Sequence, residues 1–258
     1  MKTTNKTAVI FGGSGAIGSA VAHAFAREGV HVHLCARGLT KLEQVADSIR
    51  AAGGSVSFSL FDALNESERL PPLARIDIAV NATGFTHDQG KRVDALTLAD
   101  FRQGFDPFLA SYFNIVKAVL PNIGGDRAGT IISVVAPAAN MALTGHSGHI
   151  VGCAGIEAFT RALAAELGPR RIRVLCVRSH AIADAVQAGS YVGDVFAIKA
   201  QNMGITVEQF LEGAAQTTML NRLPTLSQVA DTLVFLASDA ASAMTGTVVN
   251  MTAGATTH

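Results

Sequence analysis

Seven short apolar runs, most of them β-branched, punctuate this chain, and most of the intervals between them repeat apolar residues at helical spacing. The runs are "TAVIF" (7–11), "VHVHLC" (30–35), "SVSFSLF" (55–61), "IDIAV" (76–80), "GTIISVV" (129–135), "IRVLCV" (172–177) and "TVVNM" (247–251). Strands separated by helix-length crossovers pair in parallel, so the rhythm predicts an α/β fold with a doubly wound parallel sheet, a Rossmann fold. Breakers fall at the handovers: Gly12 and Gly13, Gly38, Gly53 and Gly54, Gly84, and Pro121 with Gly124 and Gly125. No internal repeat is present, and 258 residues at 49% apolar composition suffice for one core, so residues 1–258 are read as a single domain. Residues 179–204 have no clear period and follow a late strand; the wider stretch 179–224 is read as a substrate lid.

Charge and cysteine content narrow the partners. Twenty basic residues balance twenty acidic ones without a basic run, so nucleic acid and anionic membrane are not expected as partners, and a small molecule is. Cys35, Cys153 and Cys176 are odd in number, widely spaced and without a CxxC, which argues against a disulfide framework and fits a reducing, cytoplasmic location. The N-terminal "MKTTNKTAVIF" places lysines before an apolar run, but glycines interrupt it at once, and no later segment has the length of a membrane span.

The first handover, "AVIFGGSGAIGSAVAHAFAREG", sets a glycine-rich turn between a strand and a helix, and Gly13, Gly15 and Gly18 satisfy GxGxxG. Glycines there let backbone approach a pyrophosphate whose charge sits at the positive end of the helix; the alternative is a tight turn with close helix packing. After the second run, "LCARG" supplies Arg37 and no acidic residue for the ribose hydroxyls, which favours a 2′-phosphate and hence NADP over NAD, unless Arg37 is an ordinary surface residue.

From end to end the chain resembles the classical short-chain dehydrogenase/reductase family, and within it proteins like the 3-oxoacyl-ACP reductases. "GGSGAIG" is similar to the family's TGxxxGxG loop, with Phe11 for its Thr and Ala16 for its middle glycine. Asp62 in "LFDA" matches an aspartate near the adenine, "NATG" at Asn81 to Gly84 matches the NNAG turn, and "FLASD" and "TGTVVNMTAG" match the C-terminal landmarks. The resemblance implies a cofactor site made of Gly12, Gly13, Ser14, Gly15, Ile17, Gly18, Arg37, Asp62, Asn81 and Gly84, with NADP as cofactor. It also implies a homodimer or homotetramer built from two long helices, roughly 107–124 and 149–168, whose Ala154, Ala158, Ala162 and Ala165 permit close approach.

Counting from matched landmarks, the family's Asn, Ser, Tyr and Lys fall on Phe108, Ala136, His149 and Cys153. The later PGxIxT segment reads "SHAIAD", with His180 at the glycine and Asp184 at the threonine. His149 and Cys153 are four apart and share a helix face. In this reading His149 is the candidate acid/base, titrating between roughly pH 5.5 and 8, with Cys153, His146 and His180 assisting and Arg178 and Asp184 nearby. The bland alternative makes them structural residues, and a metal site from His146, His149, Cys153 and His180 lacks a recognised spacing. Three functions stay open: an enzyme using His149 as acid/base, in redox or non-redox chemistry; a catalytically silent cofactor-binding subunit, alone or in a hetero-oligomer with an active relative; and an unorthodox NADP-dependent reductase. Val192, Phe196, Met203, Phe210 and Met219 either contact an apolar substrate portion or form lid core.

Overall fold

The computed structural model describes residues 6–87, 90–190 and 192–257; the first five residues of the N-terminal stretch, and the ends of the expected 1–258 domain, lie outside them. Seven parallel strands form one sheet, β1 (Thr7–Phe11), β2 (His31–Ala36), β3 (Val56–Leu60), β4 (Ile78–Asn81), β5 (Gly129–Val135), β6 (Ile172–Ser179) and β7 (Val248–Met251), in the order β3-β2-β1-β4-β5-β6-β7. Every expected run is a strand. The order reverses direction between β1 and β4, which opens a crevice at the C-terminal ends of those two strands.

Both faces of the central strands are covered, so their residues alternate between two cores rather than between core and solvent. Ile10, Leu34, Val80 and Val177 pack on one side with α1 (Ala16–Arg27), α2 (Leu39–Ala51) and α8 (Leu226–Ala237). Val9, Phe11, Ile131 and Val174 pack on the other with α4 (Asp106–Val119) and α5 (Ser147–Leu167). Near the β3 edge the second face turns polar: the His31 ring bridges Ser55 and Ser57, and the His33 ring bridges Ser57 and Ser59 at 2.9 Å to each. That ladder explains the alternating histidines and serines of the second and third runs.

The region without evident period is largely helical: α6 (Val192–Met203) and α7 (Val207–Gln216) pack together over the C-terminal ends of the strands, and α3 (Leu98–Gln103) precedes α4. Val195, Phe196 and Ala200 give α6 a short buried stripe at i, i+1 and i+5, which Gly193 and Asp194 obscure in the sequence. The capping box of Thr206 and Gln209 starts α7.

Candidate functional site

The glycine turn sits at the crevice between β1 and β4. Gly12 holds φ at +76°, a left-handed conformation, and a Cβ there would lie 2.6 Å from the carbonyl oxygen of Ala82 at the end of β4. A Cβ on Gly18 would collide with the carbonyl of Gly12. The amides of Gly12 and Gly13 both donate to the Cys35 carbonyl, at 2.9 and 3.1 Å, which ties the loop to β2. Among the described residues no side chain caps α1, whose N-cap is the exposed Gly15. A backbone cradle, closed to side chains and facing an uncapped helix start, fits a pyrophosphate. Ser14 is half-buried beside it, and Ile17 faces the neighbouring cavity.

The other expected cofactor residues divide. Arg37 is exposed where β2 ends, and Asp62 follows β3, its Oδ1 accepting the Leu64 amide at 3.0 Å. Asn81 is consumed internally: Nδ2 donates to Ser133 Oγ at 3.1 Å, and Oδ1 accepts from the Thr83 amide and hydroxyl at 3.1 and 2.7 Å. It fixes the turn that leads to half-buried Gly84, and keeps its second Nδ2–H beyond these three bonds.

From the glycine turn a cavity of about 510 Å³ runs under α6 and α7, its wall extending from Ile17 and Ala82 through Ala136 and His149 to Phe196 and Phe210. His146, Cys153 and His180 also line it, so the four expected catalytic candidates do converge. Their positions follow from α5. Gly148 and Gly152 are pressed against the Phe101 and Gly104 backbone, where a Cβ would clash, so the helix turns its His149–Cys153 face toward the cavity. The Cys153 Sγ lies 3.6 Å from His149 Nε2, and the His149 ring stacks on His87 with centroids 3.8 Å apart. Phe108 lies edge-on to Phe85 and His87, closing the aromatic wall.

Enclosure sets the charge of this pair. Burial, then the positive charges of His87, Lys199 and His146, push the His149 imidazole down to about 3. Burial pushes the Cys153 thiol up to about 12, with Glu157 adding to the effect. Both are therefore held neutral near pH 7, the His149 ring below the window of roughly pH 5.5 to 8 expected for it. A neutral imidazole still donates one hydrogen bond and can polarise a carbonyl.

Other members of the expected cluster hold the frame. Asp184 Oδ1 accepts the Leu226 amide at 2.9 Å and anchors the start of α8, away from the cavity wall. Arg178 is buried and bidentate on Glu157, at 2.8 and 2.9 Å, one helical turn beyond Cys153. His146 precedes α5 and donates Nδ1–H to the Thr144 carbonyl at 2.8 Å. His180 Nδ1 accepts the Ala181 amide at 2.6 Å, which leaves the proton on Nε2, where it is buried and unpaired. An unmet buried donor costs about 1–3 kcal/mol. Among the described residues no three His, Cys, Asp or Glu side chains converge to hold a metal ion, and no helix is long and apolar enough to cross a membrane. Of the lid side chains, Val192, Phe196, Met203 and Phe210 line the cavity, whereas Met219 is 69% exposed and packs beside Gly254.

A family model described as Enoyl-(Acyl carrier protein) reductase matches residues 13–256. The chain belongs to the short-chain dehydrogenase/reductase family. It is 28% identical over 258 residues to the 3-oxoacyl-[acyl-carrier-protein] reductase FabG of Chlamydia trachomatis, covering 97% of each chain. It is 24% identical to the 7alpha-hydroxysteroid dehydrogenase of Escherichia coli K12, covering 98% of this chain and 95% of that one. L-Sorbose reductase from Gluconobacter frateurii, solved with NADPH and L-sorbose, has the same fold, with a TM-score of 0.83 at 23% identity and full coverage of both chains. Short-chain dehydrogenases/reductases are oxidoreductases that generally bind a nicotinamide dinucleotide, and the glycine cradle of this member fits one.

Two residues of the site escape reading from the sequence. His87 comes from the loop after β4, and Lys199 from α6; the Lys199 Nζ lies 5.8 Å from the centre of the Phe210 ring. The "FTH" triplet at 85–87 carried a weak signal, being aromatic and imidazole residues directly after the family's NNAG-like turn. Lys199 had none, because the helical period of α6 was itself hidden.

Proposed function

We propose that this protein is an enzyme that holds a nicotinamide dinucleotide on its glycine loop and a small, largely apolar ligand against His149. The observation that carries this reading is the single cavity joining Ile17 beside the glycine loop to His149 and the lid helices. Gly12, Gly13, Ser14, Gly15 and Gly18 approach the pyrophosphate by backbone, and Asp62 lies toward the adenine. Arg37 is exposed at the end of β2 without an ion pair among the described residues, which favours a 2′-phosphate and thus NADP(H). The bound cofactor would supply or accept a hydride. By position along the family's motifs, Phe108, Ala136, His149 and Cys153 stand in place of its Asn, Ser, Tyr and Lys. His149 then polarises a ligand carbonyl as a neutral donor, oriented by Cys153 and by its stack on His87, with His146 and His180 flanking. Loss of a titrating proton donor costs roughly 10²- to 10⁴-fold in rate, so catalysis is slow or serves non-redox chemistry on an activated carbonyl.

A second reading, a silent cofactor-binding subunit, is favoured by the uncharged state of both His149 and Cys153. Assembly fits either: Phe113 on α4 and Val151 on α5 are 52% and 43% exposed, beside the exposed Ala154, Ala158, Ala162 and Ala165, a surface suited to a second copy or a homologous partner. Under either reading the protein acts in the cytoplasm. Calorimetry with NADPH, followed by mass-spectrometric screening of a metabolite mixture with wild type and His149→Ala, tests the choice. The enzyme reading expects equal NADPH affinity and a conversion that only wild type performs. NADPH binding with no His149-dependent conversion would install the silent subunit in its place.

A further inference from the structure

Among the described residues, the buried and half-buried charges in and beside the core meet a counter-charge or a set of carbonyls, with one half-buried exception. Arg178 meets Glu157, Asp77 meets Arg75 at 2.7 Å, and the half-buried Arg173 donates to the Leu236 and Met244 carbonyls at 2.8 and 3.2 Å. Lys199 is the exception. Its side chain lines the cavity, and among the described residues it makes no ion pair and no hydrogen bond, only the contact with the face of Phe210. The ionisable groups that face it from the packed elements are His149 on α5 and His180 after β6, each made harder to protonate by it. Among the described residues no Asp or Glu lines the cavity. Enclosure disfavours the ammonium form, and a cation–π contact offsets only part of that cost.

A second, independent observation has the same sign. His180 Nε2–H is a buried donor on the same wall with no acceptor. The described wall thus offers an ammonium, an imidazole N–H and a hydrophobic lining, and none of its described residues is an anionic acceptor. A carboxylate accepts through both oxygens and donates nothing, so it complements both groups at once. Accepting that the cavity is the ligand site, we propose that Lys199 anchors a carboxylate and that the protein acts on small apolar carboxylic acids. Phe196 and Phe210 cover the carbon skeleton, and the His180 Nε2–H, with Nδ1 kept on the Ala181 amide, is the donor for the second carboxylate oxygen. The acid end then lies under the lid helices, and the opposite end of the molecule points toward His149 and the glycine loop.

The test uses matched pairs: hexanoate and hexanamide, 4-phenylbutanoate and 4-phenylbutanamide, titrated by protein NMR into wild type and Lys199→Met in the presence of saturating NADPH. Wild type should bind each acid at least tenfold more tightly than its amide, and Lys199→Met should bind acid and amide alike with amide affinity unchanged. Lys199→Met should also melt no lower than wild type without ligand, since it removes an unpaired charge and keeps the length of the side chain. Equal binding of acid and amide by wild type, an acid preference that survives Lys199→Met, or a marked fall in its melting temperature would each overturn the anchor while leaving the cavity reading intact. If neither acids nor amides bind at millimolar concentration, the cavity reading falls and the anchor with it.

Discussion

The two ends of the cleft are built from different material. The glycine-loop end is backbone: Gly12, Gly13 and Gly18 leave no room for side chains, and the shape is set by the contact with Ala82 and by the two amides on the Cys35 carbonyl. The lid end is side chain: His87, Phe108, His149, Cys153, His180 and Lys199 come from five separate segments and meet only in the folded molecule. A backbone site persists as long as the turn does, because one amide donates like another. A side-chain site can be re-equipped residue by residue without disturbing the sheet below it.

The widest separation of the two ends should come from Gly18→Val against Ala136→Ser. The valine drives a branched side chain into the Gly12 carbonyl, so the variant should lose more than about 3 kcal/mol of stability and all measurable NADPH binding. Ala136→Ser adds one hydroxyl at the cavity wall and should cost under about 1 kcal/mol with cofactor affinity kept. Thermal melts and calorimetry read both, and similar losses in the two variants would erase the distinction.

Beneath the lid end, Arg178→Met should destabilise by about 3–5 kcal/mol because it strands the buried Glu157 carboxylate. Adding Glu157→Leu should recover most of that in urea titrations. Were the double variant as unstable as the single one, the pair would be carrying packing rather than compensated charge.

Acid should destabilise the fold most through a group at the lid end. His149 titrates at about 3 when folded and near 6.5 when unfolded, so the unfolded state binds the extra proton between those values. Its contribution is complete above pH 6.5 and is lost as pH falls toward 3, worth roughly 2–4 kcal/mol. His33, held down to about 4 by burial on β2, adds slope in the same direction over pH 6.5 to 4. His149→Asn should flatten the steeper part of the stability curve and leave the His33 part; an unchanged curve would mean that His149 is not desolvated.

The smallest expected effect is at the loop end. Arg37→Ala should weaken NADPH roughly tenfold, the worth of one exposed charge-assisted phosphate contact, and leave NADH within a factor of two. Equal losses for both cofactors would remove the case for a 2′-phosphate contact.

How far this molecule could be read from its sequence follows the same division. The seven strands and the glycine turn were legible because periods of two and 3.6 and the identity of glycine are local properties. So were the neighbours His149 and Cys153, four apart on one helix. The charge state of His149 was not, since it depends on Phe85, Phe108 and His87 closing over it from elsewhere in the chain. Asp184 looked like a site residue by its place in a motif, but its Oδ1 accepts the Leu226 amide, a partner 42 residues away, and it lies off the cavity wall. Lys199 was hidden for the opposite reason: nothing local distinguishes a lysine on a helix from one aimed into a cavity.

The claim on which the account turns is that His149 is a neutral hydrogen-bond donor on a ligand cavity, and histidine side-chain NMR tests it most directly. In the protein saturated with NADPH, the His149 ring should hold one uncharged tautomer from pH 8 down to about 5, with no midpoint in that range. Its nitrogen shifts should move when 4-phenylbutanoate is added. A midpoint between about 6 and 7, unaffected by any cavity ligand, would contradict the account and make His149 an ordinary solvated histidine.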